Sequence, residues 1–277
     1  MRCSRITALT PLVLAVALQA QETPSYLRDR GTGVRMSMLG TYVRQGELLV
    51  YPFFEYYADR NLEYKPNELG YGTSGVDYRG RYRASEGIFF LGYGLTPDLA
   101  IEFEAAVITA EITTSPNDTS NARPAKVRES GLGDVEGQIR WRVQRESQSR
   151  PEVFTYFETV FPLQRTRHII GTQSWEFAAG VGLTKGYRWG TMTFRASAEY
   201  ADGQLDAGEY AIEYMKRLSP AWRVITAFEG TQLDEVSLLS ELQWHFNPHA
   251  ILKLNAGVGL TPNATDFAPE VGIMFAF

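Results

Sequence analysis

Residues 132–145, LGDVEGQIRWRVQR, alternate between apolar and polar side chains along their whole length. Val135, Ile139 and Trp141 fall on one face, whereas Glu136 and Arg140 fall on the other. A period of two residues predicts a β-strand, because successive side chains of a strand point to opposite sides of a sheet. This strand alone fits either a soluble sandwich, with its apolar face in a core, or a membrane barrel, with that face in lipid.

The same alternation recurs in four further segments, and their second face favours the barrel. These segments are residues 175–184, 192–200, 238–246 and 253–260. Their polar faces carry Glu, Arg, Lys and Gly, which do not form a sandwich core but do occur in the lumen of an outer-membrane barrel. We therefore predict an all-β protein, a transmembrane antiparallel up-and-down β-barrel.

Turn signals predict about twelve strands within residues 46–277. Short connections are predicted at residues 95–98, 146–151, 186–190, 218–221 and 247–250. Longer polar stretches alternate with them, at residues 59–75, 113–130, 162–174, 201–207, 230–235 and 261–266. Tight periplasmic turns and longer external loops are typical of barrels in the bacterial outer membrane, so that location is predicted, with both chain ends periplasmic.

Composition agrees with this class and excludes others. The 277 residues include 27 Lys and Arg against 32 Asp and Glu, and a net charge of −5 argues against nucleic acid as a partner. A single cysteine excludes a disulfide scaffold and a cysteine-based zinc site. The mean hydropathy of −0.22 looks soluble, because a barrel strand needs only one apolar face.

The N-terminal residues predict export. Arg2 and Arg5 precede an apolar stretch at residues 6–18, and Ala20 suits a cleavage site, so residues 1–20 are predicted to be a cleaved signal peptide. Cys3 lies before the apolar stretch, which argues against a lipoprotein. Residues 21–45 precede the first predicted barrel strand and could plug the lumen or lie in the periplasm.

Aromatic side chains predict the two lipid–water interfaces, where an apolar ring with a polar edge is stable. The predicted interface aromatics are Trp141, Trp175, Trp189, Trp222, Trp244 and Phe277. The alternating last strand that ends in Phe277 is the usual end of a bacterial outer-membrane barrel. It predicts that the partners of the chain are the lipid bilayer and the outer-membrane assembly machinery.

The least usual charged feature is Arg79, Arg81 and Arg83 on one face of one strand. Glu102 and Glu104 follow on the next strand and could offset the repulsion among the arginines. The arginines either line a constriction in the lumen or belong to a solvated, salt-bridged extension above the membrane, and a bulge at residues 84–87 could change their face.

A second set of charged residues is predicted to point inward. Both signs occur in it, so these side chains either line an open pore or fill a narrow barrel with salt bridges. The set is Asp134, Glu136, Arg140, Arg142, Glu158, Arg195, Glu199, Glu209, Glu213, Arg217, Arg223, Glu229 and Glu241.

Two stretches resemble a known family. The segment Gly131-Leu132-Gly133-Asp134, with the alternation after it, resembles a strand of the outer-membrane channel family named for the MetA pathway of phenol degradation. The segments 241–248, 254–260 and 270–277 resemble its last three strands. The sequence Phe161-Pro162-Leu163-Gln164 departs from that family, which has Pro-Thr-Gly there, and residues 51–57 do not fit it. The resemblance implies a barrel channel but not a phenol-related substrate.

These patterns predict a passive outer-membrane channel or small-solute transporter with a charged lumen, without cofactor, metal or enzymatic chemistry. The solute itself is not predicted. A closed barrel that binds ligands through the loops at 59–75 and 113–130 is the second hypothesis. The third is a membrane-embedded hydrolase that uses one of His168, His245 and His249, although no serine lies two residues from the last two. A metal pair of His245 and His249 lacks a neighbouring carboxylate or third histidine.

Overall fold

The computed structural model describes residues 23–36, 42–231 and 234–277. The predicted signal peptide lies outside these residues. A 3-10 turn covers Ser25–Leu27. The strands are β1 Val34–Arg35, β2 Tyr42–Val43, β3 Leu48–Tyr64, β4 Tyr78–Gly94, β5 Leu99–Thr113, β6 Lys126–Gln144, β7 Glu152–Val160, β8 Glu176–Gly186, β9 Thr191–Ala201, β10 Gln204–Arg217, β11 Trp222–Gly230, β12 Val236–Asn247, β13 Ala250–Gly259 and β14 Phe267–Ala276.

Strands β3 to β14 form one closed barrel in which each strand pairs antiparallel with its neighbours in sequence. The barrel closes where β14 pairs with β3, at positions such as Glu270 opposite Glu55. Closure leaves the wall without an unpaired edge strand, which a lipid environment requires. The predicted twelve-stranded up-and-down barrel is therefore confirmed.

The alternation of side chains sorts the two faces of the wall as predicted. On β6, Ile139 and Trp141 are 52% and 55% exposed, whereas Arg140 between them is 2% exposed. The apolar side chains thus cover the outside of the barrel and the charged ones point into it. Among the described residues, no helix is long and apolar enough to cross a membrane.

Short turns join the strands at one end of the barrel, and longer loops at the other. The turn end carries the connections 95–98, 145–151, 187–190, 218–221 and 248–249, and the loop end carries 65–77, 114–125, 161–175, 231–235 and 260–266. By the usual orientation of outer-membrane barrels, the turn end faces the periplasm.

One predicted loop is wrong. Residues 201–207 do not form a long connection, because β9 runs to Ala201 and β10 begins at Gln204. Asp202 and Gly203 make the turn, with φ of 51° and 81°. Positive φ at both central residues is the geometry of a two-residue hairpin turn whose twist matches its strands, and Asp-Gly favours it.

The wall is much taller on one side. Strands β3 to β6 have 17, 17, 15 and 19 residues, whereas β7 and β11 have nine each. A tilted strand of about 9–11 residues spans a bilayer. The four long strands therefore extend beyond the membrane at the loop end.

Aromatic side chains cluster near both ends of the outer surface. Near the turn end, Trp222 stacks on Trp244 at 5.8 Å between ring centroids, and Trp189 stacks on Tyr187 at 4.9 Å. Towards the loop end, Trp175 stacks on Phe177 at 6.0 Å. Trp141 and Phe277 are also exposed. The role of these aromatic residues at the lipid–water interfaces stays a prediction.

Candidate channel lumen

The segment before the barrel lies inside it, at the turn end. Asp29, Arg30, Arg35 and Met36 are each no more than 2% exposed. Their contacts are with strands or turns from several sides of the barrel. We call residues 24–36 the N-terminal segment.

Buried ion pairs hold the N-terminal segment in place. The Arg30 guanidinium lies 2.8 Å from a Glu146 carboxylate oxygen and 3.0 Å from one of Glu152. The Arg35 guanidinium pairs with Glu213 and donates to the Thr193 hydroxyl. Charged groups buried in this way are stable only when they are paired and hydrogen-bonded.

The barrel wall also donates to the segment. The Arg142 guanidinium donates to the Gly33 carbonyl at 2.5 Å, and that of Arg140 donates to the Arg35 carbonyl at 2.9 Å. The backbone N–H of Arg217 donates to the Asp29 carboxylate at 3.1 Å. Backbone and side-chain groups of the segment therefore both have partners on the wall.

Apolar packing completes this contact. Val34 and Met36 form a buried cluster with Leu49, Phe90 and other side chains of the wall. Gly92 makes room for it, because a Cβ atom at that position would lie 2.6 Å from the Met36 Cε. A larger residue at 92 would push the methionine away from the wall.

Carboxylates dominate the lumen beyond the N-terminal segment. Glu55 lies directly opposite Glu270 on one side and Glu86 on the other, and Glu104 lies opposite Glu136. Like charges directly opposite each other on neighbouring strands are destabilising. We call these five residues the carboxylate band.

The carboxylate band has few cationic neighbours. Among the described residues, no salt bridge within 4 Å joins any of its five carboxylates to a basic side chain. Glu270 instead accepts hydrogen bonds from the Tyr51 hydroxyl and, at 3.1 Å, from the Asn255 amide. Arg195 lies in the same half of the lumen and pairs with Glu209 at 2.7 Å.

Two cavities remain around the N-terminal segment. One of about 240 Å³ lies between Met36 and the carboxylate band, with Glu102, Glu104, Arg195 and Glu270 in its lining. The other, of about 540 Å³, lies at the turn end. Its lining includes Arg30, Arg44, Arg217, Arg223, His245 and His249.

Loops narrow the other mouth of the barrel. Ile170 of loop 161–175 is 2% exposed and packs against Ile88 and Ile108 inside the tall wall. The hydroxyls of Tyr64 and Tyr71 donate to the Asp118 carboxylate at 3.2 and 2.8 Å, which joins loops 65–77 and 114–125 to the wall. The lumen is therefore constricted at both ends.

The structure brings most of the predicted inward residues together in the lumen. Arg140 lies 3.4 Å from Glu102, and Glu241 lies 3.2 Å from Lys253. The Glu158 carboxylate accepts from the Gln138 amide, and that of Asp134 accepts from the Thr172 N–H at 2.6 Å. Glu229 is half-buried on the face of β11 that carries the buried Ile225 and Ala227. Glu199 and Glu209 are exposed near the loop ends of β9 and β10.

The prediction that Arg79, Arg81 and Arg83 line the lumen is wrong. On β4 the even-numbered side chains, such as Ile88, are buried inside, whereas Phe89 and the three arginines face outward. No bulge at 84–87 changes their face, because the pairing with β5 runs without a shift through these positions. Arg79 pairs with Glu63 at 2.5 Å, as the alternative of a salt-bridged extension expects.

Sequence reasoning missed several residues of the lumen. Glu55 lies within the aromatic run 51–57, and Glu86 lies three residues after the arginines of β4. Lys253 and Glu270 lie on strands that were recognised but were not chosen. The alternation along those strands places Lys253 and Glu270 on the polar face, and this is the signal that would have identified them.

The three histidines do not form one site. His168 lies at the loop end, where its backbone N–H donates to the Glu129 carboxylate at 2.9 Å. His245 and His249 line the turn-end cavity, and His245 contacts Gln243 at 3.2 Å. Within the described parts of the chain, no group of three or more His, Cys, Asp or Glu residues could hold a metal ion.

Comparison with known proteins identifies the fold. The structure is similar to the COG4313 outer membrane channel from Pseudomonas putida F1, with a TM-score of 0.61 and 14% identity over 88% of this chain and 100% of that one. The chain has the fold of an outer-membrane β-barrel. It is also similar to the NanC porin, with a TM-score of 0.50 and 10% identity over 82% of this chain and 98% of that one. These likenesses agree with the fold that the sequence resemblance implies.

No family model matches the sequence, and neither does any curated protein.

Proposed function

We propose that this protein is a passive channel for small solutes in the outer membrane, with no enzymatic chemistry. The observation that carries the proposal is the polar lumen, whose charged side chains surround a cavity of about 240 Å³ next to the carboxylate band. The similar structures are described as an outer membrane channel and a porin, which supports the same function here.

The charge of the lumen determines which solutes we expect to pass most readily. Rings of Asp and Glu side chains favour cations in a pore, and the carboxylate band lines the lumen beyond the N-terminal segment. Small cations and uncharged solutes should therefore pass more readily than anions.

The N-terminal segment would act as a plug. Its buried ion pairs and apolar contacts fill the turn-end half of the lumen. A channel occupied in this way conducts weakly until the segment shifts. Of the two predicted places for residues 21–45, this proposal favours the lumen for the part that the structure describes.

Ion conductance in planar bilayers tests the proposal. With a KCl gradient across the bilayer, the wild-type protein should carry a small current whose reversal potential indicates K⁺ preference. The variant E55Q/E86Q removes two facing carboxylates of the band without creating an unpaired cation. We expect it to lower the K⁺/Cl⁻ permeability ratio by about twofold or more.

A matched control is E68Q/D77N, which removes two carboxylates from the exposed loop 65–77 and should leave the ratio unchanged. An anion-selective wild-type channel would contradict the cation preference.

A closed barrel that acts through its loops is the second candidate, because loops 65–77, 114–125 and 161–175 constrict the mouth. Absence of current at any voltage, also after the N-terminal segment is removed, would favour it. Recognition of the C-terminal strand by the assembly machinery stays a prediction in either case.

A further inference from the structure

The outward-facing arginines of the tall wall form part of a surface that neither the lumen nor the proposed channel uses. Arg83 on β4 lies opposite Glu111 on β5, which lies opposite Arg128 on β6. One step further from the membrane, Arg81 lies opposite Thr113, which lies opposite Lys126. Because neighbouring strands are about 4.8 Å apart, the four basic residues surround Glu111. We call these four the cationic patch.

The cationic patch carries excess positive charge. Lys126 and Arg128 both pair with Glu111, the former at 2.6 Å. Among the described residues, neither Arg81 nor Arg83 has an ion-pair partner. Four cations thus share one carboxylate in a chain whose net charge is −5. Unpaired cations on neighbouring positions repel each other, and a bound anion would remove that repulsion.

On the outer surface, the character of the side chains changes step by step from the cationic patch towards the turn end; positions nearer the turn end are called lower. Directly below it, Ser85, Thr109 and Ser130 form a row of hydroxyl side chains, of which the last two are hydrogen-bonded at 2.8 Å. The next row contains Val107 and Leu132, which are 61% and 39% exposed. An apolar row, a hydroxyl row and a cationic row therefore follow one another towards the loop end.

This order matches an amphiphile that stands in the outer leaflet. Its acyl chains would lie on the apolar row, its sugar hydroxyls on the hydroxyl row and its phosphates on the cationic patch. Arg binds phosphate with two parallel hydrogen bonds, and basic residues near a membrane surface attract anionic lipids. The tall wall places these rows at the loop end, which faces the outer leaflet.

We propose that the cationic patch is a binding site for an acylated, phosphorylated glycolipid of the outer leaflet. The lipid lies along β4 to β6 on the outside of the barrel. This site explains why the outer face of β4 carries arginines at its loop end, whereas Phe89 and Leu91 lie on the same face nearer the turn end.

Native mass spectrometry of the full chain in detergent micelles tests this site. The probes are an acylated glucosamine disaccharide with two phosphates, the same lipid without phosphate, and phosphatidylglycerol. The variant R81Q/R83Q removes two cations that have no ion-pair partner in the described part of the chain. Each basic residue near an anionic headgroup strengthens binding by about fivefold, so the variant should bind the diphosphorylated lipid about 25-fold more weakly.

The matched control is R150Q/R188Q, which removes two exposed arginines from the turn end. Among the described residues, neither arginine has a carboxylate within 4 Å. It should bind the lipid as the wild type does. Equal binding by wild type and R81Q/R83Q, or equal binding of the lipid with and without phosphate, would overturn the proposal. Preference for phosphatidylglycerol would also overturn it, because a general anionic headgroup would then suffice.

Ion selectivity separates this proposal from the channel. The cationic patch faces away from the lumen, so R81Q/R83Q should keep the K⁺/Cl⁻ permeability ratio of the wild type. A changed ratio would show that these arginines act on the pore and would contradict the lipid site, whereas loss of conductance in the wild type bears only on the proposed channel.

Discussion

The two halves of the lumen contain similar side chains in different states. At the turn end, Arg30 and Arg35 of the N-terminal segment pair with Glu146, Glu152 and Glu213 of the barrel. Beyond the segment, the carboxylate band lies along the lumen without a salt bridge in the described structure. The charged side chains of the first half therefore hold a segment in place, whereas those of the second half can interact with ions and solutes that enter the lumen.

The difference follows from what each half contains. Burying an ion without a partner costs several kcal/mol, so the filled half must pair its charges. A carboxylate that faces water has a far smaller free-energy cost of desolvation, and its negative charge can still attract cations. A charged lumen can therefore serve both as a binding site for a plug and as a selectivity surface, according to whether a segment of the chain occupies it.

The largest expected effect comes from emptying the filled half. Deletion of residues 24–36 from the full chain removes Arg30, Arg35 and Met36 from the lumen. Water can then reach the carboxylates that these residues covered, so single-channel conductance should rise several-fold. The measurement is the current per channel in a planar bilayer at fixed KCl concentration.

The same deletion also tests the ion selectivity of the second half of the lumen. Because the carboxylate band stays intact and more of the wall carboxylates face water, the larger pore should keep its preference for K⁺. Unchanged conductance would mean that the segment does not limit the current, and it would remove the contrast between the two halves.

A smaller effect is expected from one ion-pair cluster. R30Q removes the Arg30 guanidinium from Glu146 and Glu152, which keep Lys185 at 3.0 Å and Arg142 at 3.3 Å respectively. Loss of one partner of a buried pair costs at most about 3–5 kcal/mol, and the remaining cations reduce that cost, but the docked segment loses two of its ion pairs. We expect the open fraction of the channel to rise by about tenfold or more, read from dwell times in single-channel records.

Arg28 provides the matched control two residues away. Its side chain is 56% exposed and donates to the Arg188 carbonyl at 2.8 Å. An exposed contact of this kind contributes little, so R28Q should gate as the wild type does. Equal gating by R30Q and R28Q would show that the buried cluster does not hold the segment.

Much of this organisation could be predicted from the sequence, because it rests on a period of two. The alternation at residues 132–145 gave the face of Ile139 and of Arg140, and the same pattern gave the closed barrel. The arginines at 79–83 were misplaced because alternation sorts residues into two faces without saying which is the inner one. Within the membrane, the apolar face of a strand is the outer one. The part of β4 that carries the arginines extends beyond the membrane, where this rule does not apply.

The pairing in the filled half could not be predicted from the sequence. Arg30 meets Glu146 and Glu152 across more than a hundred residues, and no local pattern links them. The hairpin at Asp202 and Gly203 was missed for a different reason. Its Asp-Gly signal was present, but the polar residues around it looked like a longer loop.

The smallest expected effect concerns an ion pair outside the lumen, at the turn after β4. Hydrogen bonds from the Arg145 guanidinium, at 2.7 Å, and from that of Arg142, at 2.9 Å, hold the pKa of Asp98 below its usual value. Asp98 is one-third exposed, so water weakens the pair, and D98N should lower the free energy of unfolding by about 0.5–1 kcal/mol at neutral pH.

The pH dependence of that loss has a defined sign. A carboxyl whose pKa is lowered by folding stabilises the protein above its unfolded pKa of about 3.9, and this contribution disappears as the pH falls through the folded pKa. Urea unfolding of wild type and D98N, compared at neutral pH and at a pH below the folded pKa, measures it. The difference should vanish in acid, because protonated Asp98 no longer pairs with either arginine; a difference that persists there would mean that packing, and not charge, stabilises this turn.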